Sequence, residues 1–239
     1  MTDPAPVFRD SPVSFVRRGG RMSDAQTRAW NELAPRYVLP VERVVATTSV
    51  AAGSAVDPAE VYGRRASLIV EIGSGQGHAI VHAARTRPAD DFLAVEVFKA
   101  GLARTMLDAD AASLTNLRLV EANAPEVLEH LLPAASVAEV WVFFPDPWHK
   151  VKHHKRRLVA PGFPEIVRAA LAPGGALRLA TDWEDYALQM REVLDAADGF
   201  ERGFPGEWAE RFDGRVETAF ERKGARAGRD IRDLVYRAV

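Results

Sequence analysis

Residues 67–77 read SLIVEIGSGQG, a short apolar run with one acid inside it and three glycines in its last five positions. A strand with one wet face alternates apolar and polar residues. This run does not, so it fits a strand buried on both sides. The glycines mark a tight turn that lets the backbone approach a ligand and opens a helix over Ala79–Arg87. The unit then recurs. DFLAVEVF (91–98) precedes a helical stretch over Ala100–Ala112, and NLRLVEAN (116–123) precedes one over Pro125–Leu132. AEVWVFFP (138–145) is a fourth strand; a helix near Pro164–Leu171, the strand GGALRLATD (174–182) and a helix over Trp183–Ala196 complete the series. Such alternation predicts an α/β fold, a doubly wound and mostly parallel sheet in three αβα layers. The final stretch, ETAFERKGARAGRDIRDLVYRAV (217–239), reads as two strand-like pieces around a Gly-rich turn, with no helix between them. It is expected to add a hairpin-like antiparallel edge.

Outward from that rhythm the signals thin. Ser23-Asp-Ala-Gln26 has the spacing of a capping box and predicts a helix from there to about Leu33. The segment from Pro40 to Gly63 carries weak signals. Residues 1–12 have the composition of a disordered segment. The chain is therefore read as one domain over 1–239, with a flexible basic arm at 1–22 and a helical extension at 23–66.

With 239 residues, 47% of them hydrophobic and 27% charged, the chain can bury a sizeable core. No apolar run approaches the roughly 20 residues of a membrane helix. The N-terminus, MTDPAPVFRDSPV, lacks the basic and apolar regions of a secretory signal. There is no cysteine, which excludes disulfides, thiolate metal sites and cysteine nucleophiles and fits a reducing cytoplasm. A formal net charge of −2 argues against indiscriminate polyanion binding. The basic residues are nonetheless clustered, at Arg17, Arg18 and Arg21, at Lys150 to Arg157, and at Arg222, Lys223, Arg226 and Arg229. Three clusters can share one positive face, or each can be a solvated surface.

Open α/β sheets bind ligands at the carboxyl ends of their strands. Here those ends carry Glu71 with Gly73, Gly75 and Gly77, then Glu96, Asn123, Asp146 and Asp182. An acid after the second strand can accept from both hydroxyls of a ribose, and an amide after the third can bond an adenine edge. The loop G-S-G-Q-G lacks the G-x-G-x-x-G spacing of a dinucleotide site, and Glu71 stands two residues before its first glycine. A carboxylate there repels a pyrophosphate but attracts the ammonium or sulfonium of S-adenosylmethionine. A tight turn with helix-capping acids is the plainer reading of the same residues.

Residues 145–157 read PDPWHKVKHHKRR, one acid between two prolines followed by five lysines and arginines among three histidines. Pro145 and Pro147 keep a helix from starting at Asp146. Trp148 can pack under the loop or stack on a base. The run beyond it can grip phosphates and bring a base to the acid, or be a solvated loop. His149, His153 and His154 lack the acid or cysteine of a metal motif, so no metal site is predicted.

The ordered set SFVRRGGRMSDAQ, VEIGSGQG, FPDPWHKVKHHKRR, LATDWEDYALQM and TAFERKG resembles the bacterial tRNA (guanine-N7)-methyltransferases from Ser14 almost to the C-terminus. The resemblance implies a Rossmann-like sheet and methyl transfer from S-adenosylmethionine to a variable-loop guanine, position 46 of tRNA, in the cytoplasm. It implies that Glu71, Gly73, Glu96, Asn123 and Asp146 hold the cofactor and that Asp146 is catalytic. It also implies that Lys150, Asp182 and Thr218-Ala219-Phe220-Glu221 contact the target, while Lys152, His153, His154, Lys155, Arg156 and Arg157 meet RNA. Two positions depart from the family pattern: Asn123 stands where many relatives have Asp, and Ala219 where they have Lys. For Asp182 a helix N-cap before Trp183 is an equal reading, and for Glu221 a cross-strand pair with an arginine. A methyltransferase for an exocyclic amine or a small molecule, and a non-catalytic RNA-binding module, remain open. Nothing in the sequence points to a protein partner.

Overall fold

A computed structural model describes residues 22–44, 46–217 and 219–239; the expectations for 1–12, for Arg17, Arg18 and Arg21 and for Thr218 lie outside the described residues. The five predicted strands are present as β1 (Leu68–Ile72), β2 (Asp91–Glu96), β3 (Leu117–Glu121), β4 (Val137–Phe143) and β5 (Leu171–Thr181), and they run parallel. They alternate with α3 (His78–Thr86), α4 (Lys99–Ala111), α5 (Ala124–Glu126), α6 (Phe163–Ala170) and α7 (Glu184–Asp195). Before them come α1 (Asp24–Tyr37) and α2 (Pro58–Tyr62). Spatially the order is β3-β2-β1-β4-β5, continued by β7 (Arg232–Ala238) and β6 (Phe200–Arg202), which pair antiparallel.

All five residues of β1 are buried because helices cover both faces. Leu68, Val70 and Ile72 belong to a core with Val127, Phe163, Val167, Tyr186 and Met190. Ile69, between them, belongs to the opposite core with Ile80, Leu102, Met106 and Trp141. The chain leaves β1 for β2 on one side and returns to β4 on the other, so the strand order reverses between β1 and β4. A crevice is expected at that reversal.

Three local expectations are corrected. The helix that begins at Ser23 does so through the predicted capping box, but it runs past Pro35 to Tyr37. The extension is held by tertiary contact: Tyr37 is fully buried and donates to the Leu114 carbonyl at 3.2 Å. The stretch Pro125–Leu132 is one α-turn followed by a π-helical turn, Val127–Leu131. Within 217–239 the first strand-like piece is a helix, α8 (Ala219–Arg226). The antiparallel edge is therefore β7 between β5 and β6, not a hairpin inside that stretch.

Candidate functional site

Glu71, Glu96, Asn123 and Asp146 lie at the carboxyl ends of β1, β2, β3 and β4, which are consecutive in space. Glu71 is almost wholly buried. Desolvation pushes its carboxyl up to about 8; a hydrogen bond from the Ile80 backbone opposes the rise, and the Glu96 charge adds to it. Its Oε2 and the hydroxyl of Ser74 are buried with no hydrogen-bond partner among the described residues. Two orphaned acceptors beside a glycine turn fit a ligand that brings donors and positive charge. Gly77 closes the turn at φ 77°, and a Cβ there would lie 2.4 Å from the Thr105 side chain, so no other residue fits.

Glu96 shapes the same turn. Its Oε2 accepts from Gly75 N–H at 2.8 Å, while Oε1 accepts from Val97 and Phe98 at 2.7 and 2.9 Å. Asn123 is fully buried, and its amide donates to Glu126 Oε1 at 3.0 Å; the other Glu126 oxygen accepts from Val50 N–H. The segment before Val50 also caps this strand end, since Asn123 N–H donates to the Thr48 carbonyl at 2.7 Å.

Asp146 is exposed, and its Oδ1 accepts from Trp148 N–H at 3.1 Å. This tight turn is flanked by two residues in left-handed conformation, Phe144 at φ 53° and Trp148 at φ 47°. Beyond it Val151–Arg156 forms a 3₁₀ helix with Lys152 and Lys155 exposed, and Lys150 is exposed just before it. Arg156 lies over the Trp148 ring at 5.0 Å, and His153 meets that ring edge-on. Partial desolvation and the charges of Arg156, Lys152, Lys150 and Lys155 hold His153 below the usual imidazole value. His149 packs on Trp183. No group of three or more His, Asp or Glu among the described residues is placed to hold a metal ion.

Arg157 corrects one expectation. It is 1% exposed, so an RNA phosphate does not reach it. Its guanidinium donates to the Pro147 carbonyl at 2.9 Å, to Gln189 at 2.7 Å and to Asp185, and it covers the Tyr186 ring. The last cation of the basic run thus fastens the Asp146 turn to α7.

At the end of β5, Trp183 occupies the N-cap position of α7 with no side-chain cap bond, so Asp182 is not the cap. Asp182 pairs at 2.7 Å with Arg229, just past α8, and Gly224 of α8 packs close against it. Glu221 is buried between Arg211 and Arg215, away from solvent, and these arginine partners lie in the preceding loop, not on a paired strand. The side chains of Ala219 and Phe220 lie outside the described residues. A cavity of about 430 Å³ between β5, β7 and the loop bearing Trp208 and Phe212 contains none of the rim acids. Sequence reasoning missed Glu126, Arg211, Arg215 and Asp233. Only Glu126 had a signal, the N-x-x-E spacing of Asn123-Ala-Pro-Glu126.

A family model described as "Putative methyltransferase" matches residues 65–234. The chain is 46% identical to a tRNA (guanine-N(7)-)-methyltransferase of Paenarthrobacter aurescens, over 97% of this chain and 93% of the relative. It is 48% identical to one of Nocardioides sp. (94% and 86%) and 43% identical to one of Methylococcus capsulatus (94% and 93%). Among solved structures it is similar to the 16S rRNA methyltransferase KamB, with TM-score 0.54, 19% identity, and 93% of this chain and 96% of that one covered. A mutant 16S rRNA (adenine(1408)-N(1))-methyltransferase from Catenulisporales acidiphilia with cosubstrate SAM is similar at TM-score 0.54 and 19% identity, over 81% and 97%. At such identities the likeness is one of fold.

Proposed function

The chain belongs to the tRNA (guanine-N(7)-)-methyltransferase family, and on that premise we propose that it methylates N7 of a variable-loop guanine in tRNA, with S-adenosylmethionine as donor. The observation that carries the reading is the row of Glu71, Glu96, Asn123 and Asp146 on four neighbouring strand ends, with a basic 3₁₀ segment continuous with the last.

The residues present fit that donor. Glu71 Oε2 and Ser74 Oγ are orphaned acceptors suited to an ammonium, and Glu96 Oε2 keeps a lone pair for a ribose hydroxyl beyond its bond from Gly75. When bound, S-adenosylmethionine supplies a methyl group carried on a sulfonium cation. Gly73 and Gly75 leave open space where a side chain would stand. Asn123 is fully buried and anchors the Thr48 segment at the end of β3, the strand end that would serve the adenine.

Guanine N7 has a lone pair and no proton, so no side chain has to act as a base at that atom. What remains for the chain is alignment, and well-oriented reactants gain most of their acceleration that way. Asp146 orients the guanine and offsets the positive charge that the purine acquires on N7 substitution. Its turn is fixed for that task by the Trp148 N–H and by Arg157. Lys150, Lys152, His153, His154, Lys155 and Arg156 meet the phosphates, and Asp182 borders the target with Lys150. The chain works as one domain in the cytoplasm, where tRNA is processed; no described helix is long and apolar enough to cross a membrane.

Borohydride reduction followed by aniline cleaves RNA at N7-methylguanosine and not at amino-methylated bases. Transcribed tRNA incubated with the protein and S-adenosylmethionine is expected to break at one variable-loop guanine. Methyl incorporation without cleavage would assign the enzyme to exocyclic-amine transfer instead.

A further inference from the structure

We propose that Arg215 is a positioning residue for methyl transfer, setting the Asp146 turn through the Phe144 ring without touching substrate. The inference rests on the role given to Asp146 above.

A closed circuit of contacts carries it. Phe144, in left-handed conformation, is the last residue before Pro145-Asp146-Pro147. Its N–H donates to the Ala180 carbonyl at 2.7 Å. Ala180 stands opposite Asp233 in the β5–β7 ladder. Both Asp233 oxygens accept from Arg215, at 3.1 and 2.9 Å, and Arg215 in turn lies against the Phe144 ring, 5.4 Å from its centroid. The backbone of Phe144 and its ring are thus held from the same antiparallel pair of strands. A non-glycine residue keeps such a conformation only where its surroundings over-determine it.

Arg215 is suited to hold and unsuited to bind. It is 1% exposed, and its third donor goes to Glu221 Oε2 at 2.6 Å. Glu221 also accepts from Arg211, whose second arm reaches the Arg215 carbonyl at 2.8 Å. Among the described residues the two buried acids of the cluster face two arginines, buried Arg215 and half-exposed Arg211. Glu221 enters from α8 and Asp233 from β7, so the C-terminal elements converge on one guanidinium behind the reactive turn.

The test compares Arg215→Met, Phe144→Leu and the double variant in single turnover, at saturating tRNA and S-adenosylmethionine. Each single change is expected to slow transfer about ten- to a hundredfold. The double variant should be no slower than the worse single, because both act on one turn. Affinity for tRNA and its salt slope should stay as in the parent. Full rates in the folded single variants would overturn the proposal, as would effects that multiply in the double. So would weaker tRNA binding at full rate with a salt slope shallower by about 1, the mark of a phosphate contact. Where Arg215→Met does not fold, Arg215→Lys replaces it in the same comparison. Asp146→Asn is measured alongside. At full rate it removes the role of Asp146 itself; slow Asp146→Asn beside full-rate Arg215 and Phe144 variants removes only this inference.

Discussion

The Nε of Arg157 donates to the carbonyl oxygen of Pro147 at 2.9 Å from within the protein, so the charge run that begins beside Asp146 returns to hold it. The run therefore has two kinds of cation. Lys152 and Lys155 stand in solvent, while Arg157 is spent on Pro147, Gln189 and Asp185.

Replacing Arg157 by Met should lower stability by about 1–3 kcal/mol, since a buried guanidinium and its bonds to Pro147, Gln189 and Asp185 are lost together. It should leave the salt dependence of tRNA binding unchanged. Lys155→Met should do the opposite, with stability within about 0.5 kcal/mol of the parent and a salt slope shallower by about 1. Urea unfolding and filter binding across a salt series separate the two.

Within the basic run of the parent protein, Lys150, Lys152 and Lys155 are exposed and Arg156 is part-buried over Trp148. Log affinity for tRNA should then fall against log salt with a slope of about −3 to −4. A flat response would remove the basic segment as the grip.

Glu71 gives a pH dependence of defined sign. The folded chain keeps this proton up to about pH 8, whereas an ordinary carboxyl gives it up near 4.5. Between those values the folded state binds more protons than the unfolded one. Its contribution to stability is complete below about 4.5 and is lost as pH rises to about 8, with a slope of at most about 1.4 kcal/mol per pH unit. Thermal unfolding of the ligand-free protein should show this decline, and Glu71→Gln should flatten it.

Asn123→Asp, a change that keeps the side chain's size, should destabilise this chain. The amide donates to Glu126 from a fully buried position, and a carboxylate there would face a second carboxylate. A loss of about 1–3 kcal/mol is expected at neutral pH, shrinking as acid restores a shared proton. Adding Glu126→Gln should recover most of it, because one amide can donate to Asp and still accept from Val50.

What was legible in the sequence follows from how local each signal is. The strands β1 to β5 are apolar runs closed by turn residues, and the acids at their ends follow from the same count. Helix α8 was not legible. It contains Gly224, where a Cβ would lie 2.7 Å from Asp182 Oδ2, so packing rather than helix propensity chose that residue. The three residues of β6 are too few to show a period. Charge patterning marked Lys150 to Arg157 as one basic surface, but nothing in it distinguishes a cation that turns inward. Arg215, in Asp-Gly-Arg-Val, reads as surface loop, and only partners from positions 221 and 233 reveal it as core.

The most direct measurement is the single-turnover formation of N7-methylguanosine in tRNA by Asp146→Asn, at saturating S-adenosylmethionine. A fall of about a hundredfold or more, with tRNA and cofactor affinities near those of the parent, is the predicted result. An unimpaired rate would contradict the account of how this rim aligns and stabilises its guanine.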